Sequence, residues 1–462
     1  MNRLKKYKMI EEKIKHNILK NIWKSGEKIP SLRSLSLKYK VSPQTIHSAF
    51  KSLEKSGYIS IIPAIGCFVK EKSQYKMSRQ LKTIVKSYSD IENKAFHSIN
   101  FTNTSLLYSY FNENFFLYFC QKMIRENSHF LNSSIVQDLP SLIACLSDSL
   151  EEDNIFTLEE NIFITSGSET SIEIICRIFS EKKKLTIALS DPSHYNIINT
   201  LSPWLNIQGV HLLENGWDFE DFDRILQSEK IDFVFVSPNF QNPSGICWSE
   251  EKKIHLIDLA AKYDFYIIEE DNYSKLYYEK GIATSFKSLE RIGKERIFYI
   301  RDFSSLFGSS LNISCVLVPP QFREQFLMEK LVLSVFPSKF QQKILETFII
   351  SGYLHFFMEN LKKKLHYRSK YLIHLLQQIP ELRIMHEPTG GFFIWIKLQQ
   401  NIDEDVFYEL CKEKGVLILP GYIFYKDQRN NAKFRICFAS TSLHEIQIGI
   451  QCIKQVIEHL KH

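Results

Sequence analysis

The chain has 462 residues, of which 44% are hydrophobic and 24% are charged, and it carries a net charge of +6. This length predicts two or three domains, and this composition is that of an ordinary globular protein rather than of a disordered or fibrous one. No apolar run approaches membrane-spanning length, and no apolar segment follows the basic residues after Met1. We therefore expect neither a membrane protein nor a signal peptide.

Positive charge is concentrated at the N-terminal end. Residues 1–75 contain 16 Lys and Arg and 5 Asp and Glu, a balance of +11, so the remaining 387 residues carry −5. A basic head on a mildly acidic body is typical of a protein whose head alone contacts a phosphate backbone. A solvated lysine-rich face is the alternative interpretation.

The nine cysteines form no CxxC pair and have no spacing suited to a metal. Most of them stand in apolar runs, which predicts buried thiols in a reducing compartment. We therefore expect no metal site and a cytoplasmic location.

Two helices are predicted at the start of the chain. The first covers residues 6–20, where Ile10, Ile14 and Ile18 share one stripe. The second is short and begins after Ser31, a good N-cap. Leu32, Leu35 and Leu37 are expected to form its apolar face.

A third helix with a clear start follows. Ser42 and Pro43 combine an N-cap with proline at the first helical position. These signals predict a helix over Pro43–Lys55, ended by Gly57. Apolar residues recur in it at helical spacing, at Ile46, Ala49, Phe50 and Leu53.

Two β-rich runs come next and predict a hairpin. They are Tyr58–Ile62 and Cys67–Val69, on either side of Pro63-Ala64-Ile65-Gly66. Helix, turn, helix and hairpin make a winged helix-turn-helix, in which Pro43–Lys55 would enter the major groove of DNA. The alternative is a small helical bundle with an added hairpin.

The pattern EKIPSLRSL…VSPQTIHSAFKSLEKSGYI…PAIGCFV resembles the DNA-binding domain of GntR-type bacterial regulators over residues 6–70. One departure is Pro43, which stands where that family usually has arginine, so one expected DNA contact is missing. We expect base contacts from the first turns of the third helix and phosphate contacts from Arg33 and Lys51. The resemblance implies a double-stranded DNA site formed by Arg33, Ser42, Gln44, Thr45, His47, Ser48, Lys51 and Gly66.

Residues 71–98 are polar and charged, which predicts a linker. After this stretch, signals for strands and for helices alternate along the chain. Short apolar runs separated by helical patterns predict βαβ units and a mostly parallel sheet. Chemistry in such sheets lies at the carboxyl ends of the strands. The segments SGSE, DPSH, NPSG, EEDNY and DFSS all fall at such ends.

These five segments, in this order, resemble those of fold-type I aminotransferases, and with the head the chain resembles MocR-type regulators. The resemblance implies an α/β fold: a winged helix-turn-helix, an αβα large domain with a mostly parallel sheet, and a small α+β domain. The expected boundaries are 1–70 for the DNA-binding domain, 71–98 for the linker, 99–335 for the large domain and 336–462 for the small domain.

The aminotransferase family holds pyridoxal phosphate through contacts that this sequence keeps in part. Ser168, at a predicted helix start, matches a phosphate contact. Asn242 matches the asparagine that binds the ring hydroxyl, and His194 stands where an aromatic ring stacks on the cofactor. Arg435 matches the arginine that binds a substrate carboxylate. Glu169 and Tyr273 are assigned to the same site.

Other positions of that site depart from the family. The Schiff-base lysine normally follows a serine, but the pair here is Ser304-Ser305, and a hydroxyl forms no imine. Asp302 and Asn312 stand where a hydroxyl and an arginine usually bind the phosphate. Glu270 replaces the aspartate that pairs with the ring nitrogen. These changes indicate a degenerate cofactor site with no catalytic residue.

The leading interpretation is a transcription regulator that binds DNA as a homodimer. Its aminotransferase-like body would serve dimerisation and the sensing of a small carboxylate or amino-acid effector. Pyridoxal phosphate would be held without a covalent bond or not held at all. The alternative is a working pyridoxal phosphate-dependent aminotransferase or a regulator that senses the cofactor. A purely structural dimerisation domain is a third interpretation.

Overall fold

The computed structural model describes residues 8–11, 13, 14, 17, 23, 27–55, 59–62, 66–69, 98–104, 106, 110, 113–126, 138–179, 185–203, 205–279, 281, 283–291, 293, 295–307, 311–399, 402–427 and 432–461. Two compact units are present, Met1–Lys82 and Thr83–His462, called here the head and the body. Several predicted features lie outside the described residues. They are Ile18, Gly57, the wing tip at residues 63–65, and the predicted linker apart from residue 98.

The head contains the predicted helix-turn-helix and hairpin. Helix α1 spans Leu32–Tyr39, helix α2 spans Pro43–Lys55, and strands β1 and β2 span Ile59–Ile62 and Gly66–Val69. Both N-caps form as expected: the Ser31 hydroxyl accepts from the Ser34 amide at 3.2 Å and the Ser42 hydroxyl from the Thr45 amide at 3.3 Å. The described residues among 8–17 are also helical.

A small apolar core holds the head together. The core-facing residues of α2 are buried as predicted, and they pack with Ile10, Ile14 and Leu35. The apolar face proposed for α1 is wrong at Leu37, because that side chain is 80% exposed while Leu35 is fully buried. Residues two apart on a helix point in nearly opposite directions, so both leucines cannot face one core.

A short extended segment around Lys28 also pairs with the hairpin, through an isolated bridge to Phe68 that the sequence did not indicate. The Ile29 amide donates to the Cys67 carbonyl at 2.8 Å, and the Val69 amide donates to the Glu27 carbonyl at 2.9 Å. Gly66 has φ +137°, and a Cβ there would lie 2.6 Å from Cε of Lys28. Glycine at this position therefore lets the Lys28 side chain cross the wing.

An eight-stranded sheet forms the centre of the body. Its strand order is β4-β11-β10-β9-β8-β5-β6-β7. The neighbours from β10 to β6 pair in parallel, whereas β11 and β7 pair antiparallel to their neighbours. The predicted mostly parallel sheet is confirmed. The strands are β4 (Ile162–Thr165), β5 (Leu185–Asp191), β6 (Leu205–Leu213), β7 (Gly216–Trp217), β8 (Phe233–Val236), β9 (Tyr266–Glu270), β10 (Ile297–Asp302) and β11 (Ser314–Leu317).

Helices cover both faces of this sheet. Along β8, Phe233 and Phe235 pack into one apolar cluster and Val234 and Val236 into another, which is the alternation expected of a strand buried on both sides. The helices are α3 (Glu113–Glu126), α4 (Pro140–Glu151), α5 (Ser168–Phe179), α6 (Tyr195–Leu201), α7 (Phe219–Ser228), α8 (Glu250–Tyr263), α9 (Phe286–Leu289), α10 (Ser304–Phe307) and α11 (Arg323–Leu333).

A second, smaller sheet lies in the C-terminal part of the body. Strands β12 (Leu382–Ile384), β13 (Phe393–Leu398), β16 (Lys433–Cys437) and β15 (Leu419–Pro420) pair antiparallel in that order, and β14 (Val416–Leu417) pairs in parallel with β3 (Ile99–Asn100). The accompanying helices are α12 (Lys339–Ile350), α13 (Tyr353–Leu376), α14 (Glu404–Glu413) and α15 (Leu443–Leu460). This arrangement agrees with the expected small α+β domain.

Two expectations from composition concern the state of the cysteines and the absence of membrane-spanning segments. All nine cysteines are free thiols, and five of them are buried. Within the described ranges, no helix has both the length and the apolar character needed to cross a membrane.

The two leucines of α1 provide a test of the head. Leu35→Ala should destabilise the head by about 2–5 kcal/mol, because it leaves a cavity in the core, whereas Leu37→Ala should change stability by less than about 0.5 kcal/mol. Hydrogen exchange of peptides from α1 and α2 in the full chain measures this. The first variant should exchange at least ~30-fold faster, which corresponds to about 2 kcal/mol. Equal exchange in the two variants would contradict the orientation of α1.

Candidate functional site

The first candidate site is the exposed face of α2. Gln44, His47, Ser48 and Lys51 are all exposed on it, while the opposite face is buried in the head core. The Ser48 hydroxyl donates to the Gln44 carbonyl at 2.9 Å. The predicted DNA contacts on this helix are therefore open to a partner.

The flanking predicted contacts are accessible too. Arg33 and Ser42 are exposed, and the Ser42 hydroxyl lies 2.8 Å from that of the partly buried Thr45. Gly66 is partly exposed at the start of β2. Lys28 is exposed beside it and was not among the predicted contacts, because its position follows from strand pairing rather than from a motif.

The second candidate site lies at the carboxyl edge of the large sheet. Glu270 and Asp302 are the last residues of the parallel strands β9 and β10, and Ser168, His194 and Asn242 follow β4, β5 and β8. Because these strands point the same way, their carboxyl ends lie along one edge. The fold thus brings together elements that are far apart in the chain.

Arg435 occupies one end of this site. The side chain is fully buried, and it donates to Asn242 Oδ1 at 2.8 Å and to the Thr102 carbonyl at 2.6 Å. The rings of Phe393 and Phe424 lie 5.1 and 5.4 Å from the guanidinium. Two buried donors remain without a hydrogen-bond partner here, Arg435 Nε and Asn242 Nδ2. Thr102 carries no recognisable motif and was missed.

His194 stands close to this end of the site. It is the N-cap of α6, and its ring lies 4.8 Å from that of Tyr195. Burial, and then the charge of Arg435, lower the pKa of His194 to about 3. The imidazole is therefore neutral at physiological pH.

Asp302 occupies the other end of the site. It is buried, and its Oδ1 accepts from the Ser314 hydroxyl at 3.0 Å and from the Ser304 amide at 3.1 Å. The Ser304 hydroxyl donates to Oδ2. Burial raises the pKa of Asp302 to about 6, although these hydrogen bonds act to lower it.

Glu270 adds a second buried acid beside Asp302. Burial is the main cause that raises its pKa to about 8, and the charges of Glu169 and Asp302 raise it further. Ser168 and Asn272 act in the opposite direction by hydrogen bonding to the carboxylate. Glu169 itself is exposed in the first turn of α5.

The loop after β4 is covered by amide side chains. Asn312 Nδ2 donates to the Ser166 carbonyl at 3.1 Å, and Asn312 Oδ1 lies 2.5 Å from where a Cβ on Gly167 would stand. Asn272 Nδ2 donates to the Ser168 hydroxyl at 3.4 Å. The amide side chains of Asn272 and Asn312 therefore lie beside the start of α5.

The sequence places Ser305 where the family resemblance leads us to expect the Schiff-base lysine. Ser304 and Ser305 begin α10, and the side chain of Ser305 lies outside the described part of the chain. Lys275, the nearest lysine along the neighbouring EEDNY segment, is paired with Asp153, which also accepts from Arg301 at 2.8 Å.

A buried polar network lies next to the site and was not predicted. Asp271 accepts from Asn239 Nδ2 at 2.9 Å and from the Tyr299 hydroxyl at 3.0 Å. Lys253, fully buried, donates to Asn239 Oδ1 at 3.3 Å and to the Thr284 carbonyl at 2.6 Å. The adjacent Tyr273 is buried against the ring of Phe393, at 5.4 Å.

Comparison with known proteins agrees with this architecture. Residues 114–453 match the family described as aminotransferase class I and II, and residues 6–69 match bacterial regulatory proteins of the gntR family. The chain is 25% identical to the uncharacterized HTH-type transcriptional regulator YdfD of Bacillus subtilis, over 100% of this chain and 98% of that protein. It is 28% identical to YcxD of the same organism, also named an uncharacterized HTH-type transcriptional regulator, over 76% and 75% of the two chains.

Among solved structures, an archaeal alanine:glyoxylate aminotransferase superimposes with a TM-score of 0.77 at 21% identity, covering 83% of this chain and 96% of that one. This likeness confirms the predicted fold class of the body. The gntR match likewise confirms the predicted fold class of the head.

This fold implies pyridoxal phosphate at the sheet edge, and the residues present suit only part of that molecule. The unpaired donors of Arg435 and Asn242 suit an oxygen acceptor. At the other end, Asp302 would repel a phosphate by roughly 3 kcal/mol per unit charge at ~5 Å and an effective dielectric constant of ~20. Within the described residues, no lysine or arginine pairs with Glu270 or Asp302 to offset this. The site does not fit the phosphate.

The buried acids should make the stability of the body depend on pH. Glu270 has a pKa raised from 4.5 to about 8, so the folded state retains a proton that the unfolded state has lost, and stability falls as pH rises through this window. Glu270→Gln should flatten the fall, which we expect to reach a few kcal/mol at about 1.4 kcal/mol per pKa unit. Denaturant unfolding of the full chain, followed by circular dichroism from pH 5 to 8.5, measures it.

The exposed Glu413 on α14 provides the control for this measurement. Glu413→Gln should keep the wild-type dependence on pH. An unchanged slope in Glu270→Gln would show that Glu270 is not the group responsible.

Proposed function

The chain belongs to the class I and II aminotransferase family and carries a gntR-family helix-turn-helix at its N-terminal end, and we propose that it is a transcription regulator that binds double-stranded DNA. In this proposal the body does not transaminate and instead serves dimerisation and effector sensing. The match to YdfD extends over both parts of the chain, and YdfD and YcxD are both named HTH-type transcriptional regulators, which supports this proposal.

The observation that carries the proposal is the division of α2 into two faces. One face forms the head core, and the other exposes Gln44, His47, Ser48 and Lys51. A helix of this kind beside a wing suits the major groove. Gln44, Thr45, His47 and Ser48 stand in its first turns, from which side chains reach base edges, while Arg33 and Lys51 suit phosphates.

The altered sheet edge supports an inert body. Covalent attachment of pyridoxal phosphate needs a primary amine, and Ser305 stands at that position. The phosphate end presents Asp302 and the amide of Asn312, and the loss of an arginine there removes a contact of about 1.5–3 kcal/mol. The rival function, a working aminotransferase or cofactor-sensing regulator, rests on the fold, and fold alone does not establish activity.

A homodimer would give the proposed regulator its two DNA contacts. One winged head offers few base contacts, and specific sites are commonly read by two heads on repeated half-sites. We assign dimerisation to the body, with residues 71–98 as the linker that adapts each head to the spacing of the half-sites. The domain boundaries proposed from the sequence, 1–70, 99–335 and 336–462, follow the same division.

Substitutions on α2 test DNA binding. With sites selected from a random duplex library by the full chain, Gln44→Ala should lose about 1–3 kcal/mol of discrimination at one base position. Lys51→Ala should weaken binding to all sequences alike and reduce the slope of affinity against salt by about 1. Fluorescence anisotropy at several salt concentrations measures both.

The control for these variants is Lys262→Ala, an exposed lysine of the body whose loss should leave DNA affinity unchanged. Absence of salt-dependent DNA binding by the wild-type full chain would overturn the proposed function.

Titration with pyridoxal phosphate tests the inert body. We expect no visible imine band, and after borohydride reduction no single modified lysine in the peptide map. Ser305→Lys alone should not recover tight binding, because Asp302 and Asn312 still oppose the phosphate. Ser305→Lys with Asp302→Thr and Asn312→Arg should recover it. A specific adduct in the wild-type protein, on Lys275 or elsewhere, would refute the loss of Schiff-base chemistry.

A further inference from the structure

Two buried donors at one end of the body site lack an acceptor. Arg435 Nε and Asn242 Nδ2 have no hydrogen-bond partner, although both side chains are at least nine-tenths buried. An unsatisfied buried donor is costly, and in native proteins it usually marks a missing water, ion or ligand. A carboxylate offers the oxygen acceptors that would satisfy both donors.

The other end of the site contains acids rather than unpaired donors. Glu270 and Asp302 are buried side by side, with Glu169 at the exposed rim. Their hydrogen-bond donors are hydroxyl, amide and backbone groups, and among the described residues no lysine, arginine or histidine forms an ion pair with any of the three. A ligand cation would favour the ionised form of these acids, which burial disfavours.

Contacts on two sides connect these ends. On one side, Glu169 accepts a hydrogen bond from Asn196 in the first turn of α6, at 3.3 Å. The ring of Tyr195, the preceding residue, lies 5.7 Å from that of Phe424, which in turn lies beside the Arg435 guanidinium. On the other side, Tyr273 follows Glu270 by three residues and packs against Phe393, also a neighbour of Arg435. The acids and the unpaired donors therefore border one region of the sheet edge.

The separation of the two ends selects the ligand. Asp302 ends β10, which lies two strand spacings or ~10 Å from β8, the strand that leads to Asn242, and Glu270 ends β9 between them. An α-ammonium group is attached to the same carbon as its carboxylate and cannot span the distance from Asn242 to Asp302. A side-chain ammonium or guanidinium several bonds away can.

We propose that the body binds a free amino acid with a cationic side chain, its carboxylate at Arg435 and Asn242 and its side-chain cation at Glu270 and Asp302. The ligand occupies the sheet edge without pyridoxal phosphate. This inference rests on the proposed function, in which the body senses an effector, and it names the class of that effector. A dicarboxylate is disfavoured because its second charge would meet the acids.

Calorimetric titration of the full chain with matched probes tests the inference. L-lysine and L-arginine should bind at least 10-fold more tightly than L-norleucine, which lacks the cation, and than 1,5-diaminopentane, which lacks the carboxylate. This comparison needs no variant and therefore does not depend on a variant folding. Equal affinity for L-lysine and L-norleucine, or no binding of either cationic amino acid, would overturn the proposal.

Variants assign the two ends. Asp302→Asn and Glu270→Gln should each weaken the binding of L-lysine by 10-fold or more and leave the affinity for L-norleucine unchanged. Asn242→Ala should weaken the binding of both amino acids. The exposed control Glu413→Gln should alter neither. If Asp302→Asn and Glu270→Gln both leave L-lysine affinity unchanged, the acidic end is wrongly assigned.

DNA binding of the same preparations separates this inference from the proposed function. A protein that binds DNA with salt dependence but binds no cationic amino acid contradicts only the inference. A protein that binds neither contradicts both.

Discussion

Burial of one guanidinium constrains the whole body. Arg435 on β16 donates to the carbonyl of Thr102 and to Asn242, residues separated from it by 333 and 193 positions in the chain. In the described part of the chain its partners are neutral oxygens and aromatic faces, not carboxylates. Because a buried cation without such partners would cost several kcal/mol, the segment after β3, the loop after β8 and the small sheet must assemble together.

The end of β9 shows how a strand separates the tasks of adjacent residues. Glu269 and Asp271 point away from the face that Glu270 uses, since successive side chains alternate. Glu269 accepts from the amides of Phe286 and Lys287, at 2.8 Å each, and so anchors the start of α9. Asp271 joins the buried polar network, and Glu270 alone faces the site. Three consecutive acids thus serve one helix start, one network and one ligand region.

Local signals predicted the elements better than the contacts among them. The bounds Pro43–Lys55 follow from the N-cap, the proline at the first helical position and the periodicity, and the structure has them. The antiparallel direction of β11 and the bond from Arg435 to Thr102 depend on pairing across long separations, which periodicity does not encode.

The polar network beside the site has a consequence for the cell. Lys253, Asn239, Asp271 and Tyr299 hold the ends of neighbouring strands through the protein's own side chains. Many cofactor enzymes gain part of their folding stability from the bound cofactor, so their folded amount varies with its supply. In the proposed function the body holds no pyridoxal phosphate and its strand ends are held internally, so its folded amount would be independent of that supply. The abundance of this protein would then follow its own synthesis and degradation and would not report the vitamin B6 status of the cell.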